Sequence, residues 1–392
     1  MDFQSVNPLN VRLNLLSGNL LPMNEHDTSF SLFWNIYSAF IWMTQLIIAI
    51  ALIPGCIYVP IEKTLKDGII CLIIFIEMSF LVTRMHASKN LLRQLIEKLN
   101  NILYVADEIM KSIVITTLKS VQTPLNFYLS GALAIIGWTC MPLSLIFKKD
   151  FFYYEDYRIP AVFSRQPFSL SIFLLGSFFL MISATYMFLM KVGVDVYMIH
   201  MILMTTAQYR YITIKNAMIF QGENEDSEQT YSAEVKQRKE KEIRALCRHH
   251  NALIDITSLL KQILSLNFSL IYINSVFRFC FIGIMLSTIP STTFWEGILI
   301  IMYALGAVVQ LYILCSCVQQ LLDASAEITN KAFHEQWYQQ TSSIKHIFML
   351  IILANNLECK LARLENFNLS LPSFTTILNQ SYSIAILLLR MK

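Results

Sequence analysis

The chain has few charged residues for its length. Asp, Glu, Lys and Arg make up 15% of its 392 residues, whereas soluble domains carry roughly 25%. Hydrophobic residues account for 55%, the mean hydropathy is +0.52, and several apolar runs are about 20 residues long, the length that crosses a bilayer. This composition excludes an ordinary soluble protein and a disordered one.

Glycine and proline are also scarce, at 11 and 10 residues, which excludes a fibrous or low-complexity chain. The first 33 residues lack the apolar core of a cleavable signal peptide, so we expect the first apolar run to serve as the insertion signal. The net charge of +3 is too small to indicate a nucleic-acid partner. The cysteines do not have the spacing of a disulfide scaffold, and only Cys56 and Cys71 are placed where they could pair.

Motifs for catalysis, phosphate binding and metal binding are missing. There is no Gly-rich phosphate loop, no HExxH and no GxSxG. The run Cys247–His250 superficially suggests a metal cluster, but it has no matched partners in its basic helical stretch. His334–Glu335 has Tyr338 where a zinc enzyme needs a second histidine. We therefore expect no enzymatic activity, no cofactor and no metal site.

Apolar runs predict an all-α membrane protein, with one seven-helix domain over residues 1–392. The expected spans are residues 33–57, 69–82, 125–147, 170–204, 264–289, 294–314 and 369–389. After the second span, Lys89–Lys119 has Leu92, Leu95 and Leu99 at helical spacing and is expected to continue that helix. The polar, acidic stretch 221–234 predicts a flexible cytosolic loop, and 322–368 is expected to be cytosolic.

The distribution of Lys and Arg predicts the orientation. If the N-terminus is cytosolic, twenty of them fall in cytosolic segments and eight in outer segments, so the positive-inside rule favours a cytosolic N-terminus and an extracellular C-terminus. This orientation argues against a G-protein-coupled receptor, and the acidic-Arg-Tyr and Asn-Pro-x-x-Tyr motifs of that class are missing. A G-protein-coupled or transporter-like membrane receptor acting alone is kept as the alternative function.

Charged residues inside the expected spans are candidates for function, because charge at membrane depth is costly. Glu77 and Arg278 lie at similar depth in the second and fifth spans, so they could pair across the interior, or either could face a wet cavity. Lys191 and Asp195 are four residues apart in the fourth span, and we interpret them as a local ion pair along one helix.

The last seventy residues carry the most specific motifs. Leu322–Glu327, then Ala332–Tyr338, then Ser381–Ser383 before Leu-rich residues follow one another in the order found in insect odorant receptors. The chain thus resembles that family, and its ending and short loop between spans four and five resemble a ligand-tuning subunit rather than the shared co-receptor. The resemblance implies a plasma-membrane protein of sensory dendrites, a volatile odorant as ligand, and a tetrameric non-selective cation channel formed with the co-receptor.

The resemblance also implies where ligand and ions are bound. The odorant site is expected in the outer half of the bundle, among the second to sixth helices. Its candidate residues are aromatic, Met and Ser side chains at that depth: Phe75, Met78, Trp138, Met141, Phe173, Ser177, Phe178, Met181, Phe281 and Tyr303. Taken singly, such a residue is more often a packing or lipid-facing residue, so the ten are proposed as a set.

The last helix is expected to line the pore. One stripe of it is polar at the expected cytosolic end and apolar at the outer end, as a wet lumen closed by an apolar ring requires. The stripe comprises Ser373, Thr376, Gln380, Leu387 and Met391, with Ile384 or Ser383 in the turn between Gln380 and Leu387. The polar members could instead be interhelical hydrogen bonders. Trp337 and Tyr338 lie where the family places its main subunit contact, although burial within the subunit itself would also suit them.

Overall fold

The computed structural model describes residues 1–25, 30–221, 233–334 and 369–390, together with Lys345 and Met349. These residues are mostly helical and form no strand beyond one isolated bridge between Phe152 and Phe168. In chain order, the main helices are α1 Phe3–Val6, α2 Pro8–Leu16, α3 Leu32–Tyr58, α4 Ile69–Ala87, α5 Lys89–Tyr104, α6 Glu108–Lys119, α7 Gln122–Cys140, α8 Leu170–Gln221, α9 Ala233–Ser287, α10 Phe294–His334 and α11 Leu371–Arg390.

Six of these helices are long and apolar enough to cross a bilayer: α3, α4, α7 with the 3₁₀ turn that extends it to Phe147, α8, α9 and α10. The seventh, α11, has 20 residues, about 30 Å at 1.5 Å per residue. Its hydropathy is lower because Ser, Thr, Asn and Gln cover one face. The protein is therefore an all-α, multi-pass membrane protein.

The helices extend beyond the apolar runs that signal them. The run at 170–204 belongs to α8, which continues to Gln221, and the run at 264–289 belongs to α9, which already begins at Ala233. The expectation that α4 continues unbroken through Lys119 is wrong. Ser88 leaves helical geometry at φ −93° and ψ 16°, and Asp107 starts a new helix by accepting a hydrogen bond from the Met110 N–H at 2.9 Å.

Helix α5 shows how the sequence pattern produces the packing. Leu92, Leu95, Ile96, Leu99 and Leu103 recur every three or four residues, and all five side chains are buried. Each contributes about 1.5–3 kcal/mol by leaving water. The charged residues of α5 lie on the opposite side, where Lys98 Nζ is 2.9 Å from Asp255 of α9.

The two ends of the bundle differ. One, here called the loop end, carries residues 148–169 and 288–293. There Tyr157 stacks on Phe168 and Phe173 with centroids 5.4 and 5.3 Å away, and burial raises the pKa of Tyr157 to about 12. Gly176 allows this approach, because a Cβ at that position would lie 2.2 Å from the Tyr157 hydroxyl.

The opposite end is formed by the N-terminal residues, α5, α6 and the extensions of α8 to α10. Tyr197 of α8 donates a hydrogen bond to the Pro22 carbonyl at 2.5 Å. Asp107 lies 2.8 Å from Lys215 of α8. Burial opposes ionisation of Asp107, but hydrogen bonds from Lys215 and the Met110 N–H outweigh it and lower its pKa. These contacts fix the turn between α5 and α6 against α8.

Candidate functional site

A cavity of about 140 Å³ lies between α4, α7, α8, α9 and α10. Most of its wall is apolar, supplied by residues such as Ile74, Ile135, Met187, Phe188 and Met302. Along α7 the cavity extends from Tyr128 to Trp138, a distance of about 15 Å at 1.5 Å per residue. An elongated apolar cavity with a few polar groups is the usual form of a small-molecule site.

At the loop end Arg158 contacts Trp138 and Asp67, two residues of the cavity wall, and it is here called the cover. Its guanidinium carbon lies 3.7 Å from the centroid of the Trp138 ring, a cation–π contact. Arg158 also lies 3.0 Å from Glu296 at the start of α10 and 3.4 Å from Asp67 just before α4. Asp67 has a second partner in Lys63 at 2.9 Å. One loop arginine thus connects α4, α7 and α10 above the cavity.

At the other end of the cavity, buried charges form a floor. Lys191 of α8 lies 3.0 Å from Glu77 Oε1 of α4 and 2.5 Å from Asp195 Oδ1. Asn274 of α9 donates to Glu77 Oε2 at 2.6 Å. Lys191 is 4% exposed and Glu77 is 1% exposed, so solvent screens these ion pairs little.

The same network continues to α7 and α10 through Gln310. The Gln310 amide donates to Asp195 Oδ2 at 2.6 Å, and its carbonyl oxygen accepts from Arg278 at 2.8 Å. Tyr128 also donates to Asp195 Oδ2, at 3.0 Å. The negative charges of Glu77 and Asp195 are thus balanced by the positive charges of Lys191 and Arg278, as buried charge requires.

Of the two alternatives left open for Glu77 and Arg278, the structure favours the second, because Arg278 lines the cavity. Among the described residues, no ion pair joins these two, and Glu77 instead contacts Lys191, while Arg278 binds Gln310. The expected pair between Lys191 and Asp195 is present, but it is one part of a network that spans five helices. Cys56 and Cys71 are both free thiols.

Of the ten expected ligand contacts, Trp138 and Tyr303 line the cavity. Phe281 packs against the same small apolar cluster as these two side chains. Phe75 lines a narrow side cleft that shares Cys71 with the cavity. The remaining six lie elsewhere: Met78, Met141, Phe173, Ser177, Phe178 and Met181.

The structure places those six side chains in the main core, the loop cluster, the 3₁₀ turn after α7 and a separate groove. Met78 is fully buried in the main core, and Phe173 stacks on Phe152 of the loop cluster at 4.1 Å. Met141 begins the 3₁₀ turn after α7. A separate groove of about 320 Å³ between α7 and α8 is lined by Ser177, Phe178 and Met181. Membrane depth can be read from sequence position, but the direction in which a side chain points within an apolar run cannot.

Several cavity residues were missed at the sequence level. Tyr128, Gly131 and Ile135 all line the cavity with Trp138, and their spacings of three, four and three residues put them on one face of α7. Counting back from Trp138 at helical spacing would have found them. Ala184, Met187 and Lys191 form the same kind of stripe on α8.

On α11 the structure separates an exposed face from a packed one. Thr376, Gln380 and Leu387 are exposed, Leu387 at 60%, and Ser373 is half-buried. Ile384 lies on the other side, where it packs against the main core, so Ser383 continues the exposed stripe instead. Met391, Trp337 and Tyr338, most of the 322–368 region and nearly all of the 221–234 loop lie outside the described residues.

Residues 63–382 match the protein family described as 7tm Odorant receptor. Odorant receptor 67a of Drosophila melanogaster is 22% identical over 142 residues, which cover 36% of this chain and 34% of that receptor. Odorant receptor 22c of the same species is 23% identical over 195 residues, or 50% and 48% of the two chains. The chain thus spans about half or less of the length of these curated relatives.

The fold matches that of a solved insect olfactory receptor. OR5 from Machilis hrabei, in complex with eugenol, superposes with a TM-score of 0.80 over 100% of both chains at 13% identity. A second structure of OR5 gives a TM-score of 0.79 at 12% identity. At such identities the likeness shows the fold alone. The family match, which covers most of the chain, shows more: this protein belongs to the 7tm odorant receptor family.

Proposed function

We propose that this chain is the odorant-binding subunit of a ligand-gated, non-selective cation channel formed with the olfactory co-receptor. The observation that carries the proposal is the cavity between α4, α7, α8, α9 and α10. It has an apolar wall, the Arg158 cover at one end, and at the other end a floor of buried charges that cancel one another. A volatile apolar molecule gains free energy by leaving water for such a wall. The complex of OR5 with eugenol supports a small organic ligand for this fold.

In this proposal the loop end is extracellular, the N-terminus is cytosolic and the protein resides in the plasma membrane of a sensory dendrite. The cavity then lies in the outer half of the bilayer. The exposed stripe of α11 faces the ion path, with Thr376, Gln380 and Ser383 in the wet part and Leu387 in an apolar ring near the outer end. Met391 and the interface residues Trp337 and Tyr338 belong to the same proposal.

Helix α9 connects the cavity to the proposed pore helix. Arg278 and Met285 of α9 line the cavity. On the same helix, Tyr272 donates to Gln380 of α11 at 3.4 Å, and a Cβ on Gly283 would lie 3.2 Å from Ala385. A ligand that shifts or rotates α9 therefore acts on α11 through direct contacts. This is the short physical path that a ligand-gated pore requires.

The proposal is tested by whole-cell currents in cells that express the chain with and without the co-receptor, against a panel of volatiles. Trp138→Ala removes a cavity wall, and Trp295→Ala removes a tryptophan that is 71% exposed at the start of α10. We expect Trp138→Ala to shift the half-maximal concentration of the best agonists about 10-fold or more, since truncating a buried aromatic contact costs a few kcal/mol. Trp295→Ala should leave them unchanged.

Two results would contradict the proposal. One is the lack of any odorant-evoked current with the co-receptor present, although the chain reaches the cell surface. The other is a Trp138→Ala receptor, present at the surface in normal amounts, that responds like the unmodified one. Surface labelling of an extracellular tag separates both results from a failure to fold.

A further inference from the structure

A second pocket, of about 720 Å³, lies at the end of the bundle opposite the loop end. It is bordered by α1, α2, residues 20–24, the start of α3 and the junction of α4 with α5. On α4, the pocket residue His86 is twelve positions beyond Ile74 of the candidate ligand cavity, about 18 Å at 1.5 Å per residue. The pocket is therefore a separate site.

The wall of this pocket is polar and basic. His86, Lys89 and Arg93 line it, and their spacings of three and four residues put them on one side of the α4–α5 junction. Amide and hydroxyl groups, such as those of Asn35 and Ser38, add to the polar part of the wall. None of the described residues that line the pocket is Asp or Glu. Such a concave, positively charged surface attracts anions.

The pocket adjoins the membrane-facing side of α3. Three apolar side chains in the first turns of this span are 60–68% exposed, so they face acyl chains: Phe33, Ile36 and Phe40. Trp34 packs edge-on against Tyr37 at 5.7 Å, and these two residue types are typical of the level of the lipid headgroups. Asn35 and Ser38 line the pocket from the same turns. The pocket thus lies where a lipid headgroup lies.

The basic side chains are spaced for a headgroup with more than one phosphate. His86 and Arg93 are seven residues apart, about 10 Å at helical rise. When the phosphodiester of a phospholipid lies near His86, a further phosphate on its headgroup reaches Lys89 and Arg93. A phosphomonoester carries a charge of about −1.5 to −2 at neutral pH, and Arg and Lys are the side chains that bind such groups.

We infer that this pocket binds an anionic phospholipid whose headgroup carries a phosphomonoester, the chemistry of a phosphoinositide. The phosphates contact His86, Lys89 and Arg93, and the acyl chains lie along the exposed face of α3. A lipid bound in this way connects the N-terminal residues with α3 and α5, so it stabilises the folded receptor by mass action. The location of this site in the cytosolic leaflet rests on the proposed function, whereas its binding chemistry does not.

The test measures thermal unfolding of the purified full-length chain in phosphatidylcholine nanodiscs. A phosphatidylinositol bisphosphate is titrated, and so are phosphatidylserine at equal charge and soluble inositol trisphosphate. We expect the bisphosphate lipid to raise the unfolding temperature at concentrations about 10-fold or more below those of the other two. Its additional phosphates contact two basic side chains, each of which contributes about 5-fold in affinity. This comparison uses the unmodified receptor and does not depend on any variant folding.

Lys89→Gln with Arg93→Gln then removes two positive charges from the pocket. The concentration of the bisphosphate lipid at half-maximal effect should rise about 10-fold or more. The matched control is Lys98→Gln with Lys111→Gln, because these lysines are 42% and 40% exposed on α5 and α6 and do not border the pocket. The control loses the same charge and should bind the lipid like the unmodified receptor.

The inference is overturned if the bisphosphate lipid has no effect, or if phosphatidylserine acts at the same concentrations. It is also overturned if the control weakens binding as much as the pocket variant does, since both results would indicate attraction to surface charge in general. Equally tight binding of soluble inositol trisphosphate would indicate a site for soluble anions and would reject the lipid. The assay contains neither odorant nor co-receptor, so its failure is distinct from a failure of the proposed function, which is judged by odorant-evoked currents.

Discussion

Lys191 is the side chain whose loss should disturb the charged floor most. It contacts both Glu77 and Asp195, at 3.0 and 2.5 Å, and it is 4% exposed. Lys191→Met keeps much of the side-chain volume but leaves two buried carboxylates facing only Arg278. Breaking a buried pair in this way costs about 3–5 kcal/mol, and because Lys191 neutralises two partners, we expect a value near the upper end of that range.

Removing a carboxylate at the same time should recover much of the loss. In Lys191→Met with Glu77→Gln, one positive and one negative charge disappear, and Asp195 and Arg278 still balance through Gln310. The double variant should therefore be more stable than Lys191→Met alone, with a coupling energy of about 2–3 kcal/mol. The coupling energy between Glu77→Gln and Arg278→Met should be smaller, since those two side chains form no ion pair.

The assay is the thermal unfolding of purified receptor, together with the amount of each variant at the cell surface. The exposed pair Lys98 and Asp255 is the control, with side chains 42% and 64% exposed. Lys98→Met should cost less than about 1 kcal/mol. The reasoning would be refuted if the losses of stability in Lys191→Met and Glu77→Gln simply added in the double variant. It would also be refuted if the Lys191→Met receptor were as stable as the Lys98→Met receptor.

Three further predictions concern the cover, the pore helix and the α5–α6 turn. Arg158→Gln removes the ion pairs of Arg158 with Asp67 and Glu296, so currents should decay faster after odorant washout. An unchanged decay would contradict the role of Arg158 as a cover. Leu387→Ser should wet the apolar ring and raise current without odorant, whereas Leu389→Ser should not; the reverse result would put the pore face elsewhere. Asp107→Ala should cost about 1 kcal/mol more than Asp107→Asn, because Asn can still cap α6. Since the folded pKa of Asp107 is lowered, the stabilisation by Lys215 should be present at neutral pH and disappear as pH falls through that pKa, and thermal unfolding across the acidic range checks this.

Periodicity predicted the parts of the fold in which one helix face meets water. The leucines of α5 illustrate this, because their three- and four-residue spacing contrasts with charged neighbours and defines the buried face. Within α4 and α8 that contrast is missing, since lipid-facing and core-facing positions are both apolar. The sequence therefore placed Glu77 and Lys191 at membrane depth but did not reveal that they face each other across two helices.

The cover over the cavity was beyond sequence reasoning for a different reason. Arg158 lies in a loop, and its partners Asp67 and Glu296 are 91 and 138 residues away along the chain. Only the folded loop brings them together, and the packing of Tyr157 beside Gly176 fixes that loop. By contrast, Trp138 was predicted from its aromatic side chain at the expected depth, and the structure places that ring in the cavity wall.

The central claim, that the cavity is the ligand site, is tested most directly by a structure of the receptor with its best agonist bound. We predict ligand density between α4, α7, α8, α9 and α10, in contact with Trp138 and Tyr303. Density in the groove lined by Ser177, Phe178 and Met181, with the cavity empty, would contradict the account.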